Sequence, residues 1–146
     1  MPNEKVSVVI LGSSGGRVDQ SVALFHSIYK WSPLFHRIVY FGESSNAFLL
    51  SPSCLHTIKL LDPLTMTLPS GRVKYYIEGP TCGLLPIGHR VDQITTTGLK
   101  WNLNGDALEI GQFISSSNQI CDNNEEKSIT VVTSQAILFC WSYELK

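Results

Sequence analysis

The sequence predicts an α+β fold in which one parallel βαβ unit precedes an antiparallel β-sandwich. Helical spacing of apolar residues is confined to one segment near the N-terminus, which lies between two short apolar runs. After Gly42 the helical spacing ends. Short runs in which apolar and polar residues alternate follow, separated by turns rich in proline and glycine. This pattern is typical of a sandwich or barrel. We therefore expect two parts, residues 1–45 and residues 46–146.

The N-terminal part reads as strand, glycine turn, helix and strand. Residues 6–11 predict a buried strand and residues 12–16 a tight turn. Apolar residues then recur with helical spacing at four positions, Val18, Val22, Phe25 and Tyr29. The helix ends before Pro33, because residues that precede proline avoid the α region. Residues 37–41 predict a second buried strand, parallel to the first. One such unit cannot cover both faces of its own sheet, so we expect it to be the end of a larger α/β domain.

The C-terminal part consists of short apolar runs spaced as in a sandwich. Seven strands are predicted, over residues 47–50, 56–61, 73–77, 91–97, 108–114, 129–133 and 137–143. Turn residues separate them, including the Asn-Gly-Asp segment at 104–106 and the Asp-Asn-Asn segment at 122–124. This part is expected to form an antiparallel, jelly-roll-like sandwich.

Composition narrows the classes of partner. Charged residues make up 16% of the chain against about 25% in typical domains, which indicates that a partner, such as a second copy, covers some surface. The net charge of −1 argues against nucleic acid. No apolar run reaches the roughly 20 residues of a membrane span. The four cysteines form no closely spaced pair and are read as reduced, mostly buried thiols of a cytoplasmic protein.

The glycine turn before the helix is the first candidate site. Gly15 and Gly16 allow a ligand to approach the backbone closely, and the helix N-terminus that follows favours an anion. Arg17 offers a planar fork suited to phosphate, and Asp19 offers a carboxylate for a magnesium ion carried by a nucleotide. An ordinary turn, with Asp19 countering the helix dipole, is equally compatible with the pattern.

Trp101 marks the second candidate site. It follows a glycine and lies between Lys100 and Asn102, so its ring is a stacking platform if exposed and a core residue if buried. The polar segment 115–118 either orients a polar heterocycle or forms a turn. The four histidines have no metal-ligand spacing, and no nucleophilic triad can be assembled.

Together these stretches resemble the eukaryotic thiamine pyrophosphokinase family. Residues 11–20 look like the family's LGG-x-GGR-x-DQ segment, and residues 82–88 resemble its CGL-I-P-hydrophobic-G strand. Residues 95–103 match TTTGLKWNL throughout, and residues 115–118 look like S-T-SN. The motifs occur in order and cover nearly the whole chain. The family's earlier acidic motifs, which hold magnesium, are absent from this sequence.

The resemblance implies transfer of diphosphate from ATP to thiamine, with Mg²⁺, in a homodimer whose site is shared between subunits. The ATP side would comprise Gly15, Gly16, Arg17 and Gln20, with Arg17 and Asp19 as catalytic residues and Asp19 also reaching the metal. The thiamine side would comprise Trp101 as the stacking residue together with Thr97, Lys100, Ser115, Ser117 and Asn118. The alternative, which the missing acidic motifs favour, is a non-catalytic β-sandwich that binds thiamine and dimerises.

Overall fold

The computed structural model describes residues 5–12, 17–125 and 127–146. These residues form one α-helix, one short 3-10 helix at Ser32–Leu34 and eleven strands. In chain order the elements are β1 (Ser7–Leu11), α1 (Val18–Trp31), β2 (Arg37–Phe41), β3 (Ser45–Leu50), β4 (Leu55–Lys59), β5 (Leu64–Thr67), β6 (Val73–Leu85), β7 (Val91–Thr97), β8 (Asn104–Leu108), β9 (Ser115–Gln119), β10 (Ser128–Thr133) and β11 (Ile137–Leu145). The chain is therefore mostly β-sheet.

The predicted βαβ unit is present at the N-terminus. β1 and β2 pair in parallel, with Ser7 opposite Arg37, and α1 connects them. The helix ends at Trp31, before Pro33 as predicted. The prediction that the first strand is buried is wrong, because β1 forms the edge of its sheet and its Val9 and Leu11 are exposed.

Two sheets make up the molecule. The larger has the order β1-β2-β3-β11-β6-β5, with β9 also paired to β6, and the smaller has the order β4-β10-β7-β8. β2 and β3 pair antiparallel, with Val39 opposite Phe48. The N-terminal unit and the sandwich therefore share one continuous sheet that crosses the expected boundary at residues 45 and 46.

The main core lies between the two sheets. The larger sheet contributes Phe48, Leu84 and Phe139, and the smaller sheet contributes Ile94 and Ile129. The Phe48 and Phe139 rings pack with their centroids 5.7 Å apart. A second cluster on the other face of the larger sheet is covered by α1. The alternation of the predicted strands therefore corresponds to two packed layers.

Polar and exposed strands depart most from the sequence-based prediction. β7 has the predicted bounds, whereas β8 covers Asn104–Leu108 instead of residues 108–114. The polar segment 115–118, for which a turn was one of the two interpretations, forms most of β9 and pairs with β6. β5 was not predicted because its four residues are all exposed at the sheet edge. These strands are held by backbone pairing to their neighbours, which leaves little trace in hydrophobic periodicity.

No helix in the part of the chain that the structure describes is long and apolar enough to cross a bilayer. The four cysteines are unpaired. Cys82 is buried, Cys121 and Cys140 are half-buried, and Cys54 is exposed. The prediction that most of these thiols are buried is therefore only partly met, since one is fully buried and one is exposed.

Candidate functional site

A cleft of about 280 Å³ lies beside Trp101. The β7–β8 loop, the β8–β9 loop and the start of β9 form its walls. Its lining consists of Trp101, Asn102, Leu103, Asp106, Phe113, Ile114, Ser115, Ser116 and Asn118. We call it the tryptophan cleft. Trp101 and Ser115 come from two separate segments of the sequence and meet here, because β9 pairs with β6 and its Asn118 bonds the backbone of the loop that carries Trp101.

The loop after β7 projects the Trp101 ring outward. Leu99 and Leu103, two residues to either side, are buried. The Trp101 side chain between them remains 55% exposed. The structure therefore decides between the two sequence-based interpretations: Trp101 is a surface platform and does not fill the core.

Asn118 ties this platform to β9. Its Nδ2 donates to the Trp101 carbonyl oxygen at 2.8 Å, and its Oδ1 accepts from the Trp101 backbone N–H at 3.3 Å. Nδ2 also lies 3.1 Å from the Ser115 Oγ, and both polar side chains are buried. A buried amide that is satisfied on both ends fixes the backbone it contacts. Asn118 and Ser115 are thus built into the wall that carries Trp101.

Lys100 lies against the tryptophan itself. Its Nζ is 5.2 Å from the centroid of the Trp101 ring, which is within cation–π range. This contact occupies one face of the indole. A flat ligand would therefore have to stack on the opposite face of the ring.

Thr97 and Ser117 do not line the tryptophan cleft. The Thr97 Oγ1 is 2.5 Å from the Thr130 Oγ1 on the neighbouring strand β10. Ser117 is exposed and has a left-handed backbone with φ of 56°. Ser116, which the sequence-based prediction left out, lines the cleft in its place.

Two further residues of the cleft, Asp106 and Phe113, were not predicted from the sequence. Asp106 supplies a carboxylate whose Oδ2 accepts from the Asn104 backbone N–H at 2.7 Å. Phe113 supplies a half-exposed aromatic ring. Asp106 lies in a segment that reads as a turn, and Phe113 lies in one that reads as a strand, so only the fold shows that they face Trp101.

The phosphate-binding candidates lie at the start of α1. Gly15 and Gly16 fall outside the described residues. Arg17 and Asp19 are exposed and paired through both guanidinium branches: Nε is 3.1 Å from Oδ1 and Nη2 is 2.5 Å from Oδ2. This pairing holds the pKa of the Asp19 carboxyl below its usual value. Gln20 is exposed in the same turn, and its backbone N–H donates to the Arg17 carbonyl oxygen at 3.2 Å.

The arrangement at Asp19 does not fit a magnesium site. Both of its carboxylate oxygens are engaged by Arg17. Among residues 5–12, 17–125 and 127–146, no three or more histidine, cysteine, aspartate or glutamate side chains come together as metal ligands. Magnesium is commonly held by one or two carboxylates together with substrate phosphates. A nucleotide-borne ion would therefore have to displace Arg17 from Asp19.

The two candidate groups remain separate in this chain. Among the described cavities, the tryptophan cleft includes none of Arg17, Asp19 and Gln20. A larger cleft of about 850 Å³, which the sequence does not predict, lies between the sheets on the side of β4 and β5. The residues expected to bind thiamine and those expected to bind ATP thus form two distinct surfaces of one chain.

Comparison with known sequences places the tryptophan cleft inside a recognised domain. Residues 66–138, half of the chain, match the family model described as "Thiamin pyrophosphokinase, vitamin B1 binding domain". A thiamine pyrophosphokinase of Oryza sativa subsp. japonica is 30% identical over 139 residues, covering 95% of this chain and 45% of that protein. One from Arabidopsis thaliana is 29% identical over 141 residues, covering 97% and 45%. The chain spans a little under half the length of these relatives.

Solved structures show the same fold. Thiamin pyrophosphokinase from Candida albicans superposes with a TM-score of 0.74 and 22% identity, over 96% of this chain and 46% of that chain. The yeast thiamin pyrophosphokinase gives a TM-score of 0.71 and 25% identity, over 93% and 39%. The arrangement of one helix on a two-sheet β structure is therefore shared with these enzymes. From the family match and the fold together, the chain belongs to the thiamine pyrophosphokinase family.

Proposed function

We propose that this chain provides the thiamine-binding part of a thiamine diphosphokinase. The enzyme would transfer diphosphate from ATP to the hydroxyl group of thiamine, giving thiamine diphosphate and AMP. The observation that carries the proposal is the exposed, anchored Trp101 ring in a cleft within the matched domain. Exposed tryptophan is otherwise costly, since an indole that is half in water forgoes much of its burial free energy.

The chemistry of the tryptophan cleft suits a flat organic cation. Thiamine carries a positively charged thiazolium ring and a neutral aminopyrimidine ring. The indole face and the Phe113 ring favour stacking with such rings. The Asp106 carboxylate adds a negative charge at the edge of the cleft. Ser115, Ser116 and Asn118 would provide the polar edge, with Asn118 acting through the wall that it holds.

The phosphate side would be provided by the start of α1. The Arg17 guanidinium has the fork geometry that phosphate oxygens accept in pairs. It would leave Asp19 for the more highly charged nucleotide, and Gln20, Gly15 and Gly16 would complete the phosphate side. Asp19 would then be released to act near the transferred group. In this proposal residues 1–45 are the end of an α/β catalytic domain, which is consistent with the exposed edge of β1.

A homodimer would unite the two surfaces. Because the tryptophan cleft and the Arg17 surface are separate in one chain, the Trp101 of one subunit would face the phosphate-binding turn of the other. The low proportion of charged residues, 16%, is consistent with such an interface. The division at residues 45 and 46 would then separate the part that faces ATP from the jelly-roll-like part that holds thiamine.

A non-catalytic thiamine-binding and dimerising module is the second candidate. Two observations favour it: the cleft at Trp101 has both polar and aromatic walls, whereas Arg17 and Asp19, on a separate surface, are paired with each other. The two candidate functions are distinguished by whether AMP is formed. Incubation with ATP, magnesium and thiamine yields thiamine-dependent AMP if the chain is catalytic, and thiamine binding without AMP if it is a module.

The binding proposal is tested with Trp101→Ala. Loss of the stacking face is expected to weaken thiamine binding by about 1–3 kcal/mol, or roughly 5- to 150-fold in Kd, as for bases stacked on aromatic side chains. Isothermal titration calorimetry measures the affinity.

Trp31→Ala is the matched control. Trp31 is also exposed, and the Nζ of Lys30 is 4.9 Å from its ring centroid, much as Lys100 lies over Trp101. This variant is expected to bind thiamine like the unmodified chain. Equal affinities for the unmodified chain and Trp101→Ala would refute the stacking role.

A further inference from the structure

The larger cleft opens between β4 of the smaller sheet and the face of the larger sheet that includes β5, and it shares no lining residue with the tryptophan cleft. It holds about 850 Å³, which is in the range of small-molecule pockets. We call it the sandwich cleft. Its inner wall is aromatic, with Phe41, Phe48, Tyr76, Trp141 and Tyr143. Its mouth is apolar and exposed, with Leu55, Leu61, Leu64, Met66 and Leu145.

A polar network is embedded in this apolar wall. The Asn46 Nδ2 donates to the Tyr76 hydroxyl at 3.2 Å, and that hydroxyl donates to the Glu78 Oε1 at 3.0 Å. The other oxygen of Glu78 accepts from the Leu61 backbone N–H at 2.8 Å. Burial, together with Glu78, raises the pKa of Tyr76 to about 12, so its hydroxyl remains a donor. The network thus has a fixed direction and ends on a carboxylate.

Two polar atoms of the wall have no hydrogen-bond partner among the residues that the structure describes. They are the Asn46 Oδ1, an acceptor, and the Trp141 Nε1–H, a donor, and both are sealed from solvent. Asn46 itself is completely buried. Asn46 and Trp141 are directly opposite each other on β3 and β11, so their side chains are neighbours on one face of the sheet. Unpaired buried groups each cost about 1–3 kcal/mol, and here an unpaired donor and an unpaired acceptor lie side by side.

We propose that the sandwich cleft is a second binding site, for a neutral, flat aromatic molecule that carries a hydroxyl group. Its ring would lie among the aromatic side chains of the wall. Its hydroxyl would accept from the Trp141 Nε1–H and donate to the Asn46 Oδ1, after small rotations that turn these atoms toward the cleft. One hydroxyl satisfies both groups at once, which an ether or a hydrocarbon does not.

The charges around the cleft disfavour a cationic ligand, and its aromatic wall suits a neutral one. Among the charged residues of its lining, Arg37 and Lys59 outnumber Glu78. The Arg37 guanidinium lies 5.1 Å from the Phe48 ring centroid, and Glu78 is occupied by its two donors. This separates the sandwich cleft from the tryptophan cleft, where a carboxylate and an open indole face suit a cation.

The test uses 2-naphthol, with naphthalene as the same ring system lacking the hydroxyl. The unmodified chain is titrated with each, and the indole N–H resonances are followed by NMR. The Trp141 resonance is expected to shift saturably with 2-naphthol, while those of Trp31 and Trp101 stay in place. 2-Naphthol is expected to bind more tightly than naphthalene.

Trp141→Phe removes the indole donor and keeps an aromatic ring. It is expected to weaken 2-naphthol binding by about 2- to 10-fold, in line with one hydrogen bond, and to leave naphthalene binding unchanged. Trp31→Phe is the matched control, because Trp31 is exposed and does not line the cleft. Leu64→Glu at the exposed mouth is a second variant, expected to weaken both ligands without disturbing the core.

Three results would overturn the proposal. One is the absence of saturable 2-naphthol binding. Another is a shift confined to the Trp101 resonance, which would place the ligand in the tryptophan cleft. The third is equal affinity for both ligands in the unmodified chain, which would mean that the cleft is an apolar crevice whose two polar atoms are met by water.

Discussion

The Asn118 amide holds the backbone of Trp101 through both of its ends. Lys100 lies against one face of the Trp101 ring, and Leu99 and Leu103 anchor the loop in the core. The orientation of the ring thus depends on one buried side chain of β9 more than on its own packing. Asn118 is a positioning residue in this arrangement, while Trp101 is the residue that a ligand would contact.

Asn118→Ala is expected to weaken thiamine binding and to make the Trp101 ring more mobile. Removing the amide leaves the backbone N–H and carbonyl of Trp101 unpaired, which costs about 1–3 kcal/mol of the free energy of unfolding. Calorimetry gives the affinity, and the fluorescence anisotropy of Trp101, in a background with the other tryptophans replaced by phenylalanine, gives the mobility.

Asn123→Ala is the matched control, since Asn123 is exposed in the β9–β10 connection. An Asn118→Ala chain with unchanged anisotropy and unchanged affinity would contradict the positioning role, whatever its stability.

The loop from β7 to β8 joins two neighbouring strands of the smaller sheet and carries Trp101 of the candidate site. Gly98 begins this loop with φ of 82°, and a Cβ there would lie 2.2 Å from the Ser128 backbone oxygen. Asn124 closes over the same glycine, with its Nδ2 3.1 Å from the Gly98 carbonyl oxygen. A side chain at this position is therefore excluded both by backbone conformation and by the lack of space.

Gly98→Ala is expected to lower the free energy of unfolding by about 2–5 kcal/mol, since left-handed strain and a backbone clash act together. Gly105→Ala is the matched control, because Gly105 has a similar φ of 75° but open space around its Cα. It is expected to cost about 1–2 kcal/mol from conformation alone. Urea unfolding measures both, and equal losses would contradict the close approach of β10 to Gly98.

Hydrophobic periodicity predicted the elements with a buried face and missed those without one. α1 and β7 match their predicted positions because each turns part of one face to a core. α1 packs Leu24, Phe25 and Ile28 there, although Val18 and Val22 of its predicted stripe are exposed. β7 buries Val91 and Ile94. β9 consists of Ser115–Gln119, and its residues read as a turn, yet the free edge of β6 recruits it by backbone hydrogen bonds. Asn104–Leu108 likewise forms a strand despite its Asn-Gly-Asp turn signal, because β7 offers a partner.

The central residue of the candidate site, Trp101, was predictable from the sequence, whereas several residues that line the cleft around it were not. Trp101 and Arg17, the residues proposed for thiamine and for phosphate, stand out by residue type and by family motif. Asp106 and Phe113 do not stand out in the sequence, because they come close to Trp101 only through the path of β8 and of the β8–β9 loop. The sandwich cleft has no sequence signal, since its wall residues come from strands whose alternation predicts only that they are buried.

At the scale of the whole molecule, the core between the sheets contains buried groups that ionise only at high pH. Burial raises the pKa of the Cys82 thiol to about 12, and burial together with Glu78 raises the pKa of Tyr76 to about 12. Both groups therefore stay protonated in the folded chain at pH values where they ionise in the unfolded chain. The folded state then binds more protons, so stability is complete below about pH 9 and falls as the pH rises toward 12.

The free energy of unfolding is accordingly expected to fall by about 1–2 kcal/mol between about pH 7 and about pH 10.5, after allowance for solvent screening. Urea unfolding at the two pH values measures the loss. Cys82→Ala is expected to show a smaller loss than the unmodified chain. Cys54→Ala, at an exposed thiol, is expected to show the same loss as the unmodified chain, and identical losses in all three would contradict the role of Cys82.

Thiamine binding at the tryptophan cleft is tested most directly by titrating the chain with thiamine while its three tryptophan indole N–H resonances are followed by NMR. The Trp101 resonance is predicted to shift saturably, with the backbone signals of Phe113 and Ser116 moving in parallel, and those of Trp31 and Trp141 are predicted to stay in place. No saturable shift at Trp101, or a shift at Trp141 alone, would contradict the assignment of this cleft as the thiamine site.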